Sequence, residues 1–231
     1  MSAESNNDKF FSRLVSKSAL KKQVYQNTLE VFQEMKGVAD LIRFELDKRL
    51  MNQQQKVKVD FSDKGLFEAE LRFAGDLLLF SMHSNVFEFP RMHEVMKTPY
   101  VKEDPNRSYC GVINIYNFLT DSFHFNRFND VGYLVARLFV NKENFFLVEG
   151  KHQTSFYFNQ FMNNAINQQD LRNIVEAAML YSLEFDLLTP PYDLVKQVTV
   201  GEIKESASDR QLKTGKRLGF KFQADHDQHK S

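Results

Sequence analysis

Cysteine occurs once in the 231 residues, at Cys110, and tryptophan not at all. A single cysteine excludes an internal disulfide framework and every metal site built from several thiolates, and fits a reducing compartment. An excess of charge of one sign is also missing. Thirty Lys and Arg balance thirty Asp and Glu, so total charge offers no attraction to nucleic acid or to an anionic membrane. No apolar run approaches the roughly 20 residues of a membrane span. The first eight residues are polar and no apolar signal-peptide core follows them. The expected protein is cytoplasmic, without a cofactor, and not a partner of nucleic acid or membrane. The chain contains neither a G-x-S-x-G elbow nor a dinucleotide fingerprint, and Gly215-Lys216 lacks the rest of a phosphate loop. No internal repeat is present.

Hydrophobic residues make up 42 % of the chain and 23 of them are Phe, enough for a core without staples. Three regions carry periodic patterns. Residues 10–50 place Leu20, Val24, Val31, Met35, Val38, Ile42 and Leu46 mostly three or four apart, which predicts a helix with a wide apolar stripe. Residues 56–149 alternate as strands do, interrupted by a proline-bearing connection at 90–108. Residues 165–188 return to helical spacing, ending at Thr189-Pro190-Pro191. The expected fold is a single α+β domain over 1–204: a long N-terminal helix, an antiparallel meander of about eight strands that is free to curl into a cup, and a C-terminal helix packed on the sheet. Residues 205–231 read as a flexible or loosely docked basic tail, and 194–203 as a last edge strand.

The stretch from Val57 to Phe89 predicts four strands in a meander. A loop at Asp63-Lys64-Gly65 sets Phe61 opposite Phe67, Val59 opposite Ala69 and Lys58 opposite Glu70. A loop at Gly75-Asp76 sets Phe73 opposite Leu78, and one at Ser84-Asn85 sets Met82 opposite Phe87. Farther on, Tyr109–Phe118 is expected to pair with Ser122–Phe128, and Tyr133–Val140 with Phe145–Glu149 around a four-residue loop at 141–144. The last pair is apolar on both faces and needs cover on both; the two long helices are the expected cover.

Few residues point to chemistry. His83 is expected on the wet face beside Glu68, with Glu70 and Glu88 one row along, a grouping suited to general-base work. The bland alternative is a solvated face on which Lys58 neutralises Glu70. Cys110 and His124 are expected on opposite faces, which argues against a nucleophilic dyad. His93-Glu94 opens like a zinc-protease helix, but position 97 is Lys. His226 and His229 form at most a weak metal pair, with solvated polar residues the simpler reading. Arg137 stands between Val135 and Phe139, with no assigned acidic partner, and is either a stacked structural ion or an anchor for an anionic ligand. Two basic stretches, Lys9 to Lys22 flanking Phe10, Phe11, Leu14 and Val15, and Lys204 to Lys221, read as a solvated helix face and a solubilising tail, with docking to nucleic acid or an anionic membrane surface as the sharper alternative. Three functions stay open: a non-catalytic module that binds itself or a protein partner, a small-ligand binder with an aromatic cup, and an enzyme built on His83.

Overall fold

The computed structural model describes residues 6–54, 56–150, 164–184, 189 and 191–201. Residues 154–162, whose pattern suits either a short helix capped by Thr154 or a strand, and the tail with His226 and His229 fall outside these residues.

Helix α1 (Asn6–Asn52) runs 47 residues without a proline and with Gly37 as its one glycine. At 1.5 Å per residue it is about 70 Å long. Its stripe of Val24, Val31, Phe32, Met35, Val38, Ala39 and Ile42 is buried. Tyr25, Leu29, Leu46 and Leu50 pack beside it. Seven antiparallel strands follow: β1 (Val59–Asp63), β2 (Glu68–Phe73), β3 (Asp76–Met82), β4 (Phe87–Glu88), β5 (Tyr109–Leu119), β6 (Tyr133–Asn141) and β7 (Phe146–Gly150). The order is β1-β2-β3-β5-β6-β7, with β4 also on β5, and the sheet is not closed. The second long helix, Gln168–Leu183, starts on a capping box between Asn167 and Asp170. The α+β class, the long first helix and the late helix agree with the reading from sequence.

The expected faces hold in β1–β3, while the registers move. Phe61 lies opposite Leu71, Val59 opposite Phe73, and Glu70 opposite Ser62. The first loop is longer than expected because Asp63 and Lys36 stabilise it. Asp63 Oδ1 accepts from Gly65 N at 2.9 Å and from Lys36 Nζ at 2.7 Å, and Lys36 also donates to Gly65 O. Phe73 lies opposite Asp76 and Leu71 opposite Leu78. This turn is Ala74-Gly75, with φ of 47° and 89°, as a two-residue turn with both central residues left-handed requires. Each shift is an even number of residues, so Ala69, Leu71, Phe73, Leu78 and Phe80 still share the buried face.

The fourth strand departs from the meander. β3 pairs with β5, from Met82 opposite Ile113 to Asp76 opposite Leu119. β4 then continues along the same partner, with Phe87 opposite Cys110. Residues 83–86 therefore bulge against 111–112, and His83 N still donates to Val112 O at 2.8 Å. The expected partner of β5 is also replaced. Residues 122–128 form no strand: Thr120–His124 is a short helix (α3). Thr120 is tied to the β2–β3 turn through its N on Gly75 O (2.8 Å) and its Oγ1 on Asp76 O (3.0 Å). β6 takes the place beside β5. No strand forms over the described part of 194–203, where Tyr192–Val195 is a helical turn.

The two long helices lie on one face of the sheet and share one core with it, not on opposite faces as expected. Glu45 on α1 and Arg172 on the late helix form an ion pair that joins them. The other face is covered at the β5–β7 end by the 89–108 connection. That segment holds a 3-10 turn (Glu94–Lys97), the short helix α2 (Pro99–Glu103) and a second 3-10 turn (Pro105–Ser108). The last two of these share one rule, a capping residue followed by proline. Thr98 Oγ1 accepts from Val101 N, and Asp104 Oδ1 accepts from Asn106 N. Val95 and Val101 pack with Phe89 onto Cys110, Val112, Phe139 and Leu147, forming a second, smaller core.

Candidate functional site

Beside that second core, on the face away from α1, the sheet carries a cleft of about 430 Å³. The bulge at 83–86 forms one wall, with His83 edge-on to Phe87 at 4.7 Å between ring centroids. Phe89, Pro90 and His93 form the opposite side, and Cys110, Val112, Asn114, Arg137, Phe139 and Glu149 come from the strands. Phe89 lies against Phe139 at 4.8 Å and against the His93 ring at 4.6 Å.

Arg137 has an acidic partner after all. The β6–β7 turn is Lys142-Glu143-Asn144, three residues instead of four, because Asn144 takes φ of 60° and asparagine tolerates the left-handed region. Asn141 Oδ1 accepts from Glu143 N (2.9 Å) and Phe145 N (3.0 Å) and fixes the turn. The pairing thereby moves by one residue. Arg137 faces Glu149, while Phe146 and Val148 turn to the main core. Nε and Nη2 of Arg137 donate to Glu149 Oε2, at 3.1 and 2.5 Å. The guanidinium also sits 4.9 Å from the Phe139 ring centre.

Glu149 Oε1 lies 3.0 Å from His93 Nε2. Val95 N donates to His93 Nδ1 at 3.3 Å. An N–H donated to Nδ1 requires that Nδ1 be unprotonated, so the proton sits on Nε2 and points at the carboxylate. Burial pushes Glu149 upward, but the bonds from Arg137 and His93 outweigh it and hold its carboxyl below the usual range. The cleft thus contains a finished chain, Arg137–Glu149–His93, beside polar groups with no bond. Among the described residues nothing accepts from Nη1 of Arg137, and the carboxamide of half-buried Asn114 makes no hydrogen bond.

The cluster expected around His83 is only partly assembled. His83 and Glu88 both line the cleft. His83 is exposed, and its Nδ1 accepts from Asn85 N at 3.0 Å. Glu88 accepts from the Tyr109 hydroxyl. Glu68 faces Ser81 instead of His83. Glu70 is buried and paired with Arg72 and Lys64, where Lys58 was expected. Cys110 is buried between strands opposite Phe87 and Asn141, and burial pushes its thiol far up. His124 is in α3, away from the strand on which it was expected. His93, set aside as a broken zinc motif, and Glu149 are the site residues the sequence reading missed. Among the described residues no group of three or more His, Cys, Asp and Glu is arranged to hold a metal ion. No family model, curated protein or solved structure matches the chain.

Proposed function

We propose that the chain is a non-catalytic binding protein whose outer-face cleft takes a small, mainly aromatic or apolar molecule with an oxygen acceptor at one end. The observation that carries this reading is the unfilled bonding capacity of Arg137 Nη1 and Asn114 beside three phenylalanine rings, Phe87, Phe89 and Phe139. Aromatic walls with a few convergent polar groups are the usual make-up of a small-molecule site. Because Glu149 already neutralises most of Arg137, the polar end need not carry a full charge: a carboxylate, a sulfonate or an amide carbonyl satisfies it.

Catalysis finds little support in the same groups. Both ring nitrogens of His93 are engaged, so it holds no free base. The Cys110 thiol keeps its proton at neutral pH. His83 retains a free Nε2 but lacks the Glu68 neighbour that would orient it.

Titration with 8-anilinonaphthalene-1-sulfonate, an aromatic ring system with one sulfonate, tests the reading. Saturable fluorescence from the native protein is expected, with Asn114→Trp, which fills the cleft, abolishing it and Arg137→Gln weakening it about tenfold, the loss of one charge-assisted bond. Unchanged dye binding in a natively folded Asn114→Trp protein, or no binding to the parent, refutes it.

A further inference from the structure

The first part of α1 leaves the sheet behind. From Asn6 to Ala19 every residue is exposed, and Val24 is the first to be buried. Phe10, Phe11, Leu14 and Val15 are each more than half exposed there. They are related as i and i+4 in two adjacent lines, so they form one apolar patch. No acidic residue occurs from Lys9 to Leu29, while Lys9, Arg13, Lys17, Lys21 and Lys22 all do. The neutral total charge of the chain conceals this local segregation. Lys17 lies over the Tyr109 ring at 3.9 Å and donates to its hydroxyl, pinning the helix where it departs. Lys21 and Lys22 continue the face of the patch two turns on, while Lys9 and Arg13 project from the other side of the helix.

We propose that this projecting end of α1 docks in the plane of an anionic membrane surface, with Phe10, Phe11, Leu14 and Val15 in the headgroup–acyl boundary and the bases at the lipid phosphates. Three arguments select that occupant. A second copy of the chain would bring five bases against five of the same sign. A protein groove reads anchors at i, i+4 and i+7, and the i+7 positions of these four residues are Lys17, Ser18, Lys21 and Lys22. A short apolar cap followed on the same helix face by two cations, Lys21 and Lys22, is what an anionic bilayer surface accepts without a shaped partner. The contact is in-plane, since no helix of the described residues is long and apolar enough to cross a membrane. It is independent of the cleft.

Co-flotation of the full chain with phosphatidylcholine vesicles, with and without about 30 % phosphatidylserine at about 0.1 M salt, tests the proposal. At least about tenfold more protein is expected on the anionic vesicles, with most of it released at about 0.5 M salt. Phe10→Ser with Phe11→Ser and, separately, Lys21→Gln with Lys22→Gln should each remove most of the binding. Both pairs lie outside the cores, so the melting temperature should stay put and report intact folding. Binding to neither vesicle overturns the proposal. So does binding that survives loss of both phenylalanines and is matched by duplex DNA, which would mark a general polyanion contact. A dimer in light scattering that the phenylalanine pair abolishes, without vesicle binding, also overturns it.

Discussion

Thr28 on α1 fills the space where Gly111 on β5 has no side chain. A Cβ built on Gly111 would lie 2.1 Å from Thr28 Oγ1 and 2.7 Å from its Cβ. Thr28 is fully buried and its hydroxyl donates to Val24 O at 2.7 Å. This glycine is needed for space and not for its backbone angles, and the approach of helix to sheet depends on it. Gly111→Ala should destabilise the fold by about 1–3 kcal/mol, the usual cost of overpacking. Adding Thr28→Ala should recover part of that loss. Urea unfolding of the two single variants and the double variant measures the coupling, and strict additivity would contradict the contact.

The bonds to Glu149 predict acid sensitivity. Its folded carboxyl sits below the ordinary 4.5. The stabilisation is therefore fully present above that value and is lost as pH falls through the lower folded value. Glu143 and Asp104 shift the same way. Burial raises Glu143, but its bonds with Tyr100 and Arg107 lower it by more; Asp104 is lowered first by Lys142. All three hold the 89–108 connection or its neighbours to the sheet. Stability should fall as the pH drops below about 4.5, and Glu149→Gln should flatten part of that slope. Chemical unfolding across this range is the measurement; an unchanged slope would show that the carboxylate does not hold the connection.

Lys36 is a buried cation on α1, with its side chain 7 % exposed, 2.7 Å from Asp63. Its ammonium also lies 5.0 Å from the Phe32 ring centre. Asp63→Ala should destabilise by about 1–2 kcal/mol, because it leaves a buried charge bonded only to Gly65 O. Lys36→Met in that background should restore much of it, since an apolar isostere carries no desolvation cost. Thermal unfolding of the pair decides; a further loss on adding Lys36→Met would show that the ammonium stabilises without Asp63.

Ala74 occupies a left-handed position that alanine disfavours. Ala74→Asn creates the Asn-Gly pair that such a turn prefers and should stabilise by about 0.5–1 kcal/mol, comparable to other turn corrections. A lower denaturation midpoint would mean that the turn differs from the one described.

The sequence disclosed more of the fold than of the site, for a physical reason. Alternation over residues 67–73 fixes which side is buried, and even register shifts leave that unchanged. Registers depend on turns, and these differ from expectation at 63–65, 75–76, 84–85 and 141–144. Ala74 gave no left-handed signal, so the loop was placed one residue late. Asn144 did give one, and reading Lys142-Glu143-Asn144 as a three-residue turn would have brought Glu149 to Arg137. The caps Thr98-Pro99 and Asp104-Pro105 are equally visible, in a segment whose expected structure is a long connection with one helical turn at Met92–Met96. The link from His93 to Glu149 was not visible. It spans 56 residues, and it depends on how the capped turns settle on the sheet, which no local pattern encodes.

The pairing of α1 with β5 and with the helix at 168–183 bears on how the chain is made. Synthesis yields α1 before the surfaces that bury its stripe: β1 follows closely, β5 comes at 109–119, and Glu45 meets Arg172 only across a separation of 127 positions. Until then the nascent protein presents Phe32, Met35 and Ile42 to the cell uncovered.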